Sequence, residues 1–79
     1  MPTIHRRHGL RFAIYGDDHE PAHVHVAGAG EMKIQLGDPV TAPFPVFAIG
    51  MKARERRVAM AVVVERQGEF LARWDEIHV

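Results

Sequence analysis

His23-Val24-His25-Val26-Ala27-Gly28-Ala29-Gly30-Glu31-Met32-Lys33-Ile34-Gln35-Leu36 reads as two alternating runs joined by a glycine turn. Val24 and Val26 fall on one side of the first run and His23 and His25 on the other; Met32, Ile34 and Leu36 oppose Lys33 and Gln35 in the second. Period-two alternation is the pattern of a half-buried strand, and Gly28-Ala29-Gly30 is short enough to close a hairpin. Upstream, Leu10, Phe12 and Ile14 alternate with Arg11, Ala13 and Tyr15, giving another strand. Gly16 to Pro21 between them is turn material. Three short strands joined this way form an antiparallel meander whose apolar face needs a cover.

That cover is expected from the C-terminal half. Gly37 to Gly50 holds Pro39, Pro43 and Pro45 with Phe44, Val46 and Phe47 between them, which suits an ordered crossing loop or a short edge strand. Lys52 to Gln67 contains neither Gly nor Pro and is the best helix candidate, although the β-branched run Val62-Val63-Val64 lowers its propensity. Gly68 marks a break. Phe70, Leu71, Trp74 and Ile77 then recur at helical spacing, an apolar stripe that can lie on the sheet with Trp74 in the core. His78 is either frayed or folded back toward the histidine strand. The fold class expected is a small α+β domain, a three- to four-stranded antiparallel sheet covered by one or two C-terminal helices, with residues 1–79 as a single domain.

Composition narrows the function classes. Apolar residues at 47% suffice for a core, and ten basic and ten acidic residues cancel, so any contact with nucleic acid or a membrane surface must be local. The absence of cysteine removes disulfides, thiolate nucleophiles and thiolate metal sites, and fits a reducing cytoplasm. No stretch is long and apolar enough for a membrane span, and Met1 to His8 lacks the apolar core of a signal peptide, so a cytoplasmic location is expected. No phosphate-loop, dinucleotide-binding or nucleophile-elbow pattern is present.

Two clusters carry chemistry. Asp17 to Val26 packs three of the six histidines and three carboxylates into ten residues. His23 and His25 lie two apart on a strand, roughly 6.6 Å at about 3.3 Å per residue on one face, within reach of one ion. A third ligand from His19, Asp17 or Asp18 would complete a catalytic-type set for Zn²⁺ or Ni²⁺ with one position open. The same imidazoles, His19, His23 and His25, could instead serve as a metal-free acid-base site. On the bland reading His23 and His25 stand on the half-solvated face and hydrogen-bond to loop backbone or Tyr15. The second cluster, Lys52-Ala53-Arg54-Glu55-Arg56-Arg57, carries four bases and one acid at a helix start, where the macrodipole prefers the opposite sign. With Arg6 and Arg7 it could contact phosphates, with Tyr15 or Phe47 stacking on a base; the alternative is a solvated helix end.

The opening Met1-Pro2-Thr3-Ile4, the strand Arg11 to Tyr15, the Asp18-His19-Glu20-Pro21-Ala22-His23-Val24-His25-Val26 run and the close Leu71 to His78 together resemble the small bacterial family of unknown function numbered 4160. The resemblance spans nearly the whole chain. It implies a protein often encoded beside another small domain, in an arrangement like a toxin-antitoxin pair, and brings no settled activity, so whether the chain is an enzyme stays open. A protein partner encoded nearby is expected on this ground, and self-association is expected from the apolar helix between Arg57 and Glu65. This chain departs from similar proteins in having Ala22 where a second proline is usual and no Ser or Thr N-cap near Met51 or Lys52. Val58, Met60, Ala61 and Val64 stand where charged residues are usual, making the helix apolar nearly all round, as for one buried on several sides or meeting a partner.

Overall fold

The computed structural model describes residues 3–78, so Met1 and Pro2 of the family-like opening lie outside the described residues. Five strands run in sequence order as an antiparallel meander: β1 Thr3–Arg7, β2 Leu10–Ala13, β3 His23–Ala27, β4 Glu31–Gln35 and β5 Phe44–Ile49. Helices α1 Ala53–Glu65 and α2 Gln67–Ile77 follow. The α+β class and the three central strands agree with the sequence; the strand count of three to four is corrected to five. The added strand is β1, whose Thr3-Ile4-His5-Arg6-Arg7 carries one aliphatic residue and no apolar alternation. It is pinned instead by its turn. His8 and Gly9 both have positive φ, 54° and 77°, which a two-residue hairpin requires so that its twist matches that of the strands. β5 resolves the proline-rich segment as an edge strand, with a register irregularity opposite Lys33 and Ile34 where Pro45 enters.

Register sorts the side chains into two faces. Phe12 pairs with Val26, Val26 with Met32 and Met32 with Ala48, and this row points toward the helices together with Val24 and Ile34. Phe12, Val24, Ile34 and Leu36 are fully buried, as are Ala59, Val63 and Phe70 from the helices. The valine run thereby finds its explanation: Val62 and Val63 are both core, and burying each is worth about 1.5–3 kcal/mol against a propensity cost of a few tenths. Val58 and Met60 also pack against this core, leaving Ala61 and Val64 as the exposed members of the extra apolar set. The break between the helices falls at Arg66, not Gly68, which lies within α2. Gln67 fixes it by donating from Nε2 to the carbonyls of Leu36, Asp38 and Thr41.

Lys52 caps α1 without a side-chain acceptor. Glu55 takes over, accepting from Lys52 N at 3.0 Å and from Ala29 N at 3.1 Å, which ties the helix start to the β3–β4 turn. Those two backbone donors hold its carboxyl below the usual carboxylate range. The opposite, open face of the sheet carries Arg6, Arg11, Ala13, His25 and Lys33 by the same alternation, and α2 meets it at His23, where Trp74 packs on the ring.

Candidate metal centre

The loop between β2 and β3 aims a carboxylate at two imidazoles. Asp18 N donates to Tyr15 O at 3.1 Å and Tyr15 N donates to Asp18 Oδ2 at 3.2 Å, a reciprocal pair that locks the turn and turns the carboxylate toward β3. Asp18 Oδ2 lies 3.3 Å from His23 Nε2 and 3.2 Å from His25 Nε2. The two rings meet edge on at 5.1 Å. Asp18, His23 and His25 form the one group of three His, Asp or Glu among the described residues whose ligand atoms lie within 4.8 Å of one another. Asp17 and His19, weighed with them from sequence, are exposed and outside this group.

Burial separates the two histidines. His25 is half-buried and touches the ring of Tyr15 at 5.1 Å, as a half-solvated face predicts. His23 is 5% exposed because the strand begins beneath α2, where Trp74 covers its ring at 5.2 Å. Trp74 donates from Nε1 to Glu20 Oε1 at 3.1 Å, so the C-terminal helix clamps the loop carrying Asp18. His78 is folded back onto this clamp: its ring stacks on Trp74 at 3.8 Å and its Nδ1 donates to Trp74 O.

The hydrogen bond on the far side of His23 decides what its near side can be. His23 Nδ1 lies 2.9 Å from Pro21 O; a carbonyl only accepts, so Nδ1 carries the proton. In the neutral ring Nε2 is then a lone pair aimed at a carboxylate oxygen that already accepts from Tyr15. Two acceptors at 3.3 Å repel unless something positive lies between them, either a proton on the imidazole or a metal ion. Four ligands around zinc at 2.0–2.1 Å stand about 3.3–3.4 Å apart, the spacing of both Asp18 contacts. A ring N–H donated to a carbonyl is also how metal-ligating histidines are oriented.

The basic residues grouped from sequence border more than one cleft. Arg6 and Arg7 point to opposite faces of β1; Arg7 reaches Glu65 of α1 at 3.6 Å while Arg6 stands on the open face. Lys52 and Arg54 border a cleft with His8, and Arg56 and Arg57 border an apolar groove of about 770 Å³ between α1 and β5. Of the two stacking candidates, Phe47 lines the same groove as Arg56 and Arg57, while Tyr15 packs against His25. Arg11, which sequence reading did not single out, lies with Arg6 on the open face; its alternation with Leu10 and Phe12 already set it opposite the core, but only the pairing with β1 shows which residue it faces.

The model of a family of domains of unknown function, DUF4160, matches residues 9–75. The chain belongs to the DUF4160 family. Its matched region runs from the β1–β2 turn almost to the end of α2, so the Asp18–His23–His25 group and the Trp74 clamp of this DUF4160 domain both fall inside it. No curated protein and no solved structure matches the chain. No helix among the described residues is long and apolar enough to cross a membrane.

Proposed function

We propose that this DUF4160 protein is a divalent-metal domain that holds zinc or nickel through Asp18, His23 and His25. The observation that supports it most is the pinned tautomer of His23: with Nδ1–H held by Pro21, Nε2 and the Asp18 carboxylate converge as acceptors on one point also faced by His25. Three protein ligands leave a coordination position for water or substrate, the arrangement of hydrolytic metal sites, in which the ion lowers the pKa of bound water. A metal-dependent hydrolase acting on phosphodiesters is the activity class that follows. Calorimetric titration with Zn²⁺ and Ni²⁺ tests the site. Wild type should bind one ion, and His25→Ala and Asp18→Asn should weaken binding on the order of 100-fold, at least the loss expected for an outer partner. Affinity should also fall as pH is lowered, because protons compete with the ion for its ligands. Variants that bind as wild type does would remove the proposal.

A second reading, an interaction component of a toxin-antitoxin-like two-gene module, is favoured by β5. This edge strand is exposed along its length, with Phe44 at 44%, Val46 at 46% and Ile49 at 61%; unpaired apolar edges are templates for another chain. Sedimentation of the chain alone and with the protein encoded beside it tests both self-association and a partner. Val46→Lys with Ile49→Lys should abolish whichever complex forms, and a wild type that stays monomeric with and without that neighbour would dismiss the reading.

A further inference from the structure

On the open face, beside His25, the sheet forms a hollow of about 230 Å³. Its floor is Ala13 and Ala27, small side chains paired with His25 and Arg11 respectively. Tyr15 and His25 stand at one end and Arg11 and Glu31 at the other. Arg11 is directly paired with Arg6 on β1, which places two guanidinium groups on one face with Cβ atoms about 5 Å apart. Like charges in that relation cost stability, yet neither arginine makes an ion pair among the described residues; the arginines that do are Arg7, Arg66 and Arg73. Lys33, paired with His25 on β4, adds a third positive charge to the same face. Glu31 opposes an anion at its own wall and so confines one to the side of Arg11.

We infer that this hollow binds a phosphate ester, held by the forks of Arg11 and Arg6 and presented to the metal centre at His25. The distances allow it: Arg11 is the diagonal neighbour of His25 across the β2–β3 pair, roughly 7–8 Å away, so one group can touch a guanidinium at one end and the ion at the other. Phosphate suits the site better than carboxylate because it offers three or more acceptor oxygens and matches planar forks bidentately. The contact with the ion rests on the metal reading above; the contact with the arginines does not. The ester could come from a single-stranded nucleic-acid backbone or from a free phosphomonoester.

Fluorescence anisotropy of a labelled oligouridylate of about eight nucleotides, at about 50 mM salt with and without zinc, tests this, with uridine monophosphate as competitor. Arg6→Ala/Arg11→Ala should weaken binding at least tenfold and lower the slope of log affinity against log salt by about 1.4, two contacts at roughly 0.7 each on a single strand. Both residues are exposed, so circular dichroism and calorimetric zinc affinity should match wild type. Displacement of the oligonucleotide by equimolar uridine monophosphate assigns the site to free esters, and resistance to it assigns the site to the backbone; either outcome supports a phosphate site. If zinc does not bind but the arginine-dependent anisotropy change persists, the metal reading fails and the phosphate site stands. Absence of binding to both probes, or an Arg6→Ala/Arg11→Ala variant that binds as wild type does, overturns the inference.

Discussion

Replacing Trp74 by Phe should cost about 2.5 kcal/mol, because this residue joins the core to the candidate site. It is 2% exposed, donates to Glu20 at 3.1 Å and stacks on His78. Phe keeps the ring burial but loses the N–H. A hydrogen bond to a charged acceptor is worth about 1.5–3 kcal/mol, and the lower end applies because Glu20 is exposed and rehydrates. The indole exceeds a phenyl ring by roughly 40 Å² of apolar surface, about 1 kcal/mol at 25 cal/mol per Å². A domain of this size has about 4–12 kcal/mol in all, so the melting temperature should fall by roughly 10–20 °C. Circular dichroism is the assay, since the substitution removes the only tryptophan. Glu20→Gln should lose less, because its amide oxygen can still accept. A Trp74→Phe variant within about 0.5 kcal/mol of wild type, the range of an ordinary surface substitution, would refute the reasoning.

His5 lies against Phe12 and Phe70 with its Nε2 buried and without a partner among the described residues; burial first, then the charge of Arg66, lowers its pKa. The unfolded chain therefore takes up the proton more readily, and stability is full above about pH 6.5 and lost as pH falls from there through the lowered folded value, by at most about 1.4 kcal/mol per pH unit. His5→Phe should flatten this loss in metal-free melts at pH 5 and 7, and an unchanged pH slope would count against it. His8→Asn should stabilise by about 0.5 kcal/mol in urea unfolding, because Asn accepts the left-handed backbone of the β1–β2 turn more readily than most residues; destabilisation would show that the His8 side chain matters. Gly30→Ala should cost at least about 2 kcal/mol in the same assay, because a Cβ there would overlap the Ile49 carbonyl of β5, and a neutral effect would mean that the two strands can part.

The three central strands were legible because Leu10 to Leu36 alternates in one period and the glycine turn leaves a single register. β1 was not, since an edge strand with His5 and two arginines carries no alternation and is held by a His-Gly turn in place of the familiar Asn-Gly. The helix break fell at Arg66 because packing on both sides, through Val62, Val63 and Phe70, set the bend where Gln67 could reach the loop carbonyls. Strand spacing brought His23 and His25 into view together, but not their unequal burial, which depends on where α2 crosses. The choice among Asp17, Asp18 and His19 lay beyond the sequence too, since it is made by the turn that bonds Asp18 to Tyr15. The six bases looked contiguous in sequence as two runs; strand alternation split Arg6 from Arg7, and the helix start carried the others to different clefts.

A crystal structure of the protein grown with zinc tests the metal centre most directly. Anomalous density should show one ion with His23 Nε2 and His25 Nε2 at about 2.0–2.1 Å and an Asp18 oxygen at about 2.0–2.2 Å, and the Nδ1 bond to Pro21 retained. Zinc at saturating concentration with no density between those three side chains, and Asp18 still in direct contact with both imidazoles, would contradict it.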